Sequence, residues 1–162
     1  MTLSRRQGGL VILITFLVAM MLTIVPLPEG LRPFRPDWVG LVLIYWCLAL
    51  PDRVGVAYGW SAGLLLDVLT GTLLGQHALA LTLIAFLTLK LHQRVRLYPL
   101  WQQSLTVLLL LMLHQLINLW VQGITGRPAQ DWSYWLPSLI GMILWPFVYQ
   151  LLRGIRRQFA VS

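Results

Sequence analysis

The sequence predicts an all-α membrane protein built as one bundle of six transmembrane helices. Composition is the first reason: 58% of the 162 residues are hydrophobic and 10% are charged, whereas about 25% of residues are charged in soluble domains. The second reason is the arrangement, because long apolar stretches follow one another with only short polar or proline-containing segments between them. No stretch is left for a soluble domain, so residues 1–162 are expected to form a single integral membrane domain.

The first two apolar stretches differ in length. Residues 8–27 contain no charge and follow Arg5 and Arg6, and as a helix they can cross a hydrocarbon core of about 30 Å. We expect this first span to be retained, with a proline-containing interfacial loop after it. The second stretch, residues 38–50, has 13 residues and covers only about 20 Å as a helix. We interpret it as a span, with a re-entrant helix as the alternative.

Four further spans are predicted in residues 54–74, 77–91, 100–121 and 135–152. The fourth ends at basic residues, whose long side chains can extend out of the membrane. A polar loop containing glycine and proline separates the last two spans. Tryptophan and tyrosine residues lie near the ends of several stretches, as is typical of membrane interfaces.

The distribution of basic residues predicts the orientation. With six spans, nine basic residues fall on one side of the membrane and three on the other. The larger set is Arg5, Arg6, Arg53, Lys90, Arg94, Arg96, Arg153, Arg156 and Arg157. Because basic residues accumulate on the cytoplasmic side, both termini are expected in the cytoplasm. Without the short second span, the chain would cross the membrane five times and its two basic termini would lie on opposite sides. This favours interpreting residues 38–50 as a span.

The third span has a small or acidic residue at every fourth position. These residues are Gly59, Gly63, Asp67, Gly71 and Gly75. Four residues advance a helix by one turn plus about 40°, so we expect one slowly winding ridge with Asp67 in its middle. Glycines permit close helix approach in a bilayer, and a carboxylate there costs about 2.5–3.5 kcal/mol unless it faces protein or water. We predict a helix-packing or partner-contact surface, locked by a hydrogen bond from Asp67.

The fifth span carries a set of polar residues on one side of its helix. They are His114, Gln115, Asn118 and Gln122, and spacings of three and four residues share a helix face. One interpretation is hydrogen bonding between helices, with Asp67 as one partner. The alternative is a ligand pocket shared by the third and fifth spans.

Catalytic and metal sites are not predicted. Residues 59–63 match the pattern G-x-S-x-G, but that motif needs a strand and a sharp turn. A Ser61–His114 dyad would resemble intramembrane proteases of the rhomboid kind, yet Ala62 stands where the rhomboid pattern has glycine. His77, His92 and His114 lie on different segments without metal-ligand spacing. We expect no cofactor.

The net charge of +7 does not indicate nucleic-acid binding, because the basic residues are scattered between apolar stretches. A cluster at the end of the chain is the exception. Arg153, Arg156 and Arg157 are expected to meet anionic membrane lipid or a cytoplasmic partner, with about 1 kcal/mol for each charge.

The third span also carries a longer pattern. Residues 63–75, GLLLDVLTGTLLG, place Gly-Leu-x-x-Asp before further glycines and a final Leu-Gly. In this the chain resembles the MreD family of rod shape-determining proteins. Further similarity lies in residues 34–38, 45–53, 100–103, 145–146 and 156–161. These motifs are specific in combination, and the resemblance covers essentially the whole chain.

The resemblance implies a non-enzymatic subunit of the bacterial elongation machinery, located in the inner membrane. Its implied direct partner is MreC, with the MreB filament, the glycosyltransferase RodA and the elongation-specific transpeptidase reached directly or through MreC. The resemblance also implies a fold similar to the substrate-binding components of energy-coupling-factor transporters. The alternative function is therefore a small-molecule-binding membrane component of a transporter.

Overall fold

The computed structural model describes residues 9–25, 37–50, 54–71, 75–124, 126 and 135–158. These residues form six α-helices, each within or overlapping one of the predicted apolar stretches. The helices are α1 (Gly9–Ile24), α2 (Trp38–Ala49), α3 (Val56–Thr70), α4 (Gln76–Val95), α5 (Leu100–Ile124) and α6 (Leu136–Gln158). The all-α class and the order of six helices are confirmed.

The helices fall into a long and a short group. Among the described residues, three helices are long and apolar enough to cross a membrane, over 20 residues of α4, 22 of α5 and 23 of α6. Helices α1, α2 and α3 are apolar but shorter, with 16, 12 and 15 residues. The lengths and composition indicate a multi-pass membrane protein. A full crossing by each short helix, and the orientation of the termini, stay predictions.

Helix α2 lies at the centre of the bundle. It contacts each of the other five helices, and ten of its 12 residues are buried. Its Trp46 side chain is fully buried, as is Trp145 of α6. Because α2 is hydrophobic all round, its position is that of a core helix. Although α2 is short, the other five helices surround it, so its sides do not contact lipid.

The outer helices present large apolar side chains away from the bundle. Leu10 of α1, Leu109 of α5 and Phe147 of α6 are each about 70% exposed. A soluble protein rarely exposes so many large apolar residues together. In a bilayer these side chains contact lipid or another membrane helix, so the exterior agrees with the multi-pass assignment.

Candidate functional site

Two aspartates and two histidines from different parts of the chain meet inside the bundle. Asp37 precedes α2, Asp67 lies on α3, His77 lies in the first turn of α4 and His114 lies on α5. Asp67 pairs with His77 at 2.7 Å, and Asp37 pairs with His114. The two histidine rings are 5.7 Å apart in an edge-to-face arrangement. We refer to these four residues as the polar cluster.

Helices α3 and α4 approach closely beside the polar cluster. A Cβ atom added to Gly63 would lie 2.5 Å from the Ala78 backbone nitrogen, and one added to Gly59 would lie 2.8 Å from the Leu81 carbonyl oxygen. Both obstacles belong to the backbone of α4, which cannot move aside as a flexible side chain can. These two glycines therefore pack against α4 of the same chain.

Gly71 and Gly75 do not extend this glycine surface, and the prediction of one five-residue ridge on a single helix is wrong for them. Helix α3 ends at Thr70, and Gly71 follows with a φ of +70°. Gly75 has a φ of +101° and precedes α4. Among the described residues, no atom beyond the chain neighbours lies within 4 Å of a Cβ built on either glycine. A left-handed glycine commonly ends a helix, so these two are required by backbone conformation rather than by close packing.

Asp67 binds the start of α4. Its Oδ2 accepts hydrogen bonds from the backbone N–H groups of Gly75 at 2.8 Å and Ala78 at 3.4 Å, and its Oδ1 accepts one from the N–H of His77 at 2.8 Å. The first N–H groups of a helix have no partners within that helix, and a negative charge there is favourable. Asp67 therefore caps α4 from the neighbouring helix. It lies in the last turn of α3, not at mid-helix as predicted.

Asp37 caps its own helix and also reaches α5. Its Oδ1 accepts a hydrogen bond of 3.1 Å from the N–H of Gly40, in the first turn of α2. Its Oδ2 contacts Nδ1 of His114. Burial raises the pKa of Asp37, whereas the facing His114 and the hydrogen bond from the Gly40 N–H lower it. The lowering is larger, so the pKa of Asp37 lies below its ordinary value. The carboxyl group of Asp37 therefore joins the start of α2 to α5.

Sequence reasoning missed the role of Asp37, which it placed in an interfacial loop. The available signal was local: an aspartate directly before an apolar helix is a preferred N-cap. That signal predicts the bond to Gly40. It does not predict the contact with His114, which is 77 residues away in the chain.

The other predicted polar residues of α5 contact different neighbours. Gln115 accepts a hydrogen bond from the hydroxyl of Ser138, which lies on α6. Asn118 is 8% exposed and His114 is 3% exposed. Gln122 is part of α5, but its side chain is not described. Asp67 is connected to this set through His77, which pairs with Asp67 and whose ring contacts the ring of His114.

The described geometry does not assemble a catalytic dyad. Ser61 is exposed, and no hydrogen bond joins it to His114 in the described part of the chain. His77 and His114 are close, which their sequence positions did not predict. Even so, the described residues contain no group of three or more His, Cys, Asp or Glu placed to hold a metal ion. His92 lies near the other end of α4, with its Nδ1 2.5 Å from the Leu89 carbonyl oxygen.

The predicted basic cluster lies at the end of α6. Arg156 and Arg157 are in the last turn, and Arg153 lies one turn earlier. Arg153 and Arg157 are exposed and Arg156 is half-buried. The cluster is thus a partly accessible charged surface, separate from the buried polar cluster. The basic residues near the amino terminus, Arg5 and Arg6, lie outside the described residues.

Two comparisons with known proteins cover most of the chain. A family model described as rod shape-determining protein MreD matches residues 4–155. A protein of Haemophilus influenzae named Rod shape-determining protein MreD is 35% identical over 147 residues, which are 91% of each chain. No solved structure matches the chain significantly.

Proposed function

The chain belongs to the MreD family of non-enzymatic rod shape-determining proteins, and on that premise we propose that it is a scaffold subunit of the elongation complex in the bacterial inner membrane. It binds MreC directly. Through this contact it helps to couple the MreB filament to RodA and the elongation-specific transpeptidase, and so to lateral peptidoglycan synthesis.

One structural observation carries the scaffold proposal: the polar cluster and Gln115 of α5 hold helices of this chain together. Asp67 binds α4, Asp37 binds α2 and His114, and Gln115 binds Ser138 of α6. The outer helices instead present apolar side chains. Packing of such faces is the means by which a membrane helix of a partner associates in a bilayer.

The close α3–α4 packing gives the predicted glycine surface an indirect role in that association. Gly59 and Gly63 are covered by α4, so a partner helix does not use them while this hairpin is intact. We propose that Gly59, Gly63 and Asp67 set the relative position of α3 and α4, and that MreC contacts outer faces of the bundle. Gly71 and Gly75 allow the chain to turn between these two helices.

Copurification tests the scaffold proposal. The tagged full-length chain is expressed in its native host and extracted in mild detergent, and the bound proteins are identified by mass spectrometry. We expect MreC, with RodA and the transpeptidase in smaller amounts. A bound small molecule together with an ATPase, and without MreC, would overturn the scaffold and support the transporter alternative.

A matched pair of variants tests the indirect role of the glycines. Gly63→Leu should reduce recovery of MreC, because the new side chain meets the backbone of α4. Gly154→Leu is the control, since no atom of a described residue outside the local helix lies within 4 Å of a Cβ at that position on α6. Normal recovery of MreC and normal rod shape with Gly63→Leu at wild-type abundance would contradict this part of the proposal.

The proposed topology has six crossings and both termini in the cytoplasm. The nine-to-three division of basic residues supports it. A reporter that is active only in the cytoplasm, fused after Ser162, should be active. An architecture like that of the substrate-binding components of energy-coupling-factor transporters is a prediction from the family resemblance.

A further inference from the structure

The last turns of α6 carry two arginines that lie close to a buried tyrosine of the central helix. Arg156 is half-buried, and its side chain hydrogen-bonds the hydroxyl of Tyr45, a residue of α2 that is 2% exposed. Arg153 is exposed and also interacts electrostatically with Tyr45. The Tyr45 ring packs edge-to-face against Tyr149 of α6, with 5.6 Å between the ring centres. Two guanidinium groups therefore lie near one hydroxyl group, between α2 and α6.

These two positive charges have no negative partner in the part of the chain that the structure describes. The ion pairs there all join an aspartate to a histidine. The sequence adds little negative charge, because Asp52 is the one acidic residue that the predicted topology places on the side of the nine basic residues. Like charges three residues apart on a helix repel each other. An anion bound between Arg153 and Arg156 would relieve that repulsion.

The guanidinium group limits the chemistry of this anion. It carries five N–H donors in a planar fork and has no acceptor. The Tyr45 hydroxyl uses only part of the donor set of Arg156. A guanidinium fork binds phosphate through two parallel hydrogen bonds. The remaining donors of Arg156, together with those of Arg153, therefore suit the oxygens of one phosphate group.

The position of the arginines along α6 indicates the source of the phosphate. Phe147 and Leu151 are 68% and 64% exposed, so the apolar outer surface of α6 extends to Leu151. Arg153 follows two residues later, about 3 Å further along the helix axis. The headgroups of a bilayer lie directly outside its hydrocarbon core. The cytoplasmic leaflet carries anionic lipids, and basic pockets between helices on that side bind their headgroups.

We propose that Arg153 and Arg156 bind the phosphodiester headgroup of one anionic phospholipid, and that Tyr45 orients the Arg156 guanidinium for it. A basic tail attracts anionic lipid through its charge alone, whereas this site also depends on the guanidinium fork and on the central helix. Arg157 is exposed and lies outside the site. The site goes beyond the scaffold proposal, because it lies within one chain and needs no partner protein.

Native mass spectrometry of the full-length chain tests the site. The protein is delipidated in detergent and titrated with phosphatidylglycerol, or with zwitterionic phosphatidylethanolamine as the control. The first phosphatidylglycerol should bind about tenfold more tightly than phosphatidylethanolamine. Equal binding of the two lipids would overturn the proposal, and so would free glycerol phosphate that binds as tightly as phosphatidylglycerol. Each result is measured on the wild-type chain, so an unstable variant does not block the test.

Lysine substitutions separate the site from a general attraction by the basic tail. Lysine keeps the charge but lacks the planar fork, so Arg153→Lys and Arg156→Lys should each weaken phosphatidylglycerol binding by about fivefold. Arg157→Lys is the matched control and should bind the lipid as the wild type does. Tyr45→Phe keeps the ring and should weaken binding by about threefold, because Arg156 loses its hydroxyl partner. Equal lipid affinities of Arg156→Lys and Arg157→Lys would contradict the proposal.

Discussion

Asp67 and Asp37 each bind the start of a helix and each pair with a histidine, but they connect the chain over very different distances. Asp67 lies ten residues before its partner His77, within the hairpin of α3 and α4. Asp37 caps α2 locally and pairs with His114 across 77 residues. The first pair fixes two neighbouring helices, and the second ties the central helix to α5. The hairpin is thus held largely by contacts with the backbone of α4, whereas the long-range contact is held by two side chains.

The hairpin should be the more sensitive region, and Gly63→Leu is the strongest test. The added side chain meets the backbone of Ala78 and His77, and overpacking of this kind should cost about 3 kcal/mol or more. Reversible unfolding in mixed micelles measures the loss. Gly154→Leu, in open space on α6, should unfold close to the wild type. Equal stability of Gly63→Leu and the wild type would show that α3 and α4 do not pack as described.

The two aspartates can be compared by truncation to alanine. Asp67→Ala leaves three backbone N–H groups at the start of α4 without their acceptor and should cost about 2–3 kcal/mol. Asp37→Ala removes the carboxylate that accepts from the Gly40 N–H and contacts His114, and it should cost about 1–2 kcal/mol. Unfolding of both variants under one set of conditions gives the ranking. A larger loss of stability for Asp37→Ala than for Asp67→Ala would contradict this ranking.

A smaller effect is expected at the turn that lets Asp67 reach α4. Gly71 has a φ of +70° with open space around it, so Gly71→Ala should cost about 1–2 kcal/mol through backbone strain alone. Gly123→Ala is the matched control, because Gly123 lies in helix α5 and also has open space around it. A wild-type unfolding midpoint for Gly71→Ala would contradict the left-handed turn.

The basic cluster of α6 should have the smallest effect on the bundle, since it lies outside the polar cluster. Replacing Arg153, Arg156 and Arg157 with glutamine should lower the free energy of unfolding by about 1 kcal/mol or less, mainly through Arg156, whose side chain hydrogen-bonds Tyr45 of α2. It should lower the amount of anionic phospholipid that copurifies, because each charge contributes about 1 kcal/mol at an acidic membrane surface. Mass spectrometry of the bound lipid checks this. Unchanged lipid, complex formation and cell shape would reject the proposed role of the tail.

The sequence predicts features that depend on local pattern. Apolar length located all six helices, and the four-residue spacing of Gly59 and Gly63 indicated a close helix approach. The same spacing was misleading at Gly71, because a glycine after an apolar stretch can continue a packing surface or end the helix. Only the backbone angle distinguishes these two cases, and it is a φ of +70° at Gly71.

The contacts of Asp37 show why the rest of the site could not be predicted. A capping aspartate before Trp38 is visible in the sequence, but its pairing with His114 depends on how α2 and α5 pack. Nothing in a single sequence states which residues 77 positions apart become neighbours. The contact between His77 and His114, which lie on separate helices, could not be predicted for the same reason.

The shortness of α2 determines where a charge can be placed inside the protein. A 12-residue helix is about 18 Å long, and the residue before it is level with His114, ten residues or about 15 Å from the end of α5. The chain thereby carries a carboxyl group between its helices, where it contacts His114, without placing one within the apolar helix itself. Lengthening α2 by one turn at its start would move that carboxylate toward the rim and separate it from its imidazole.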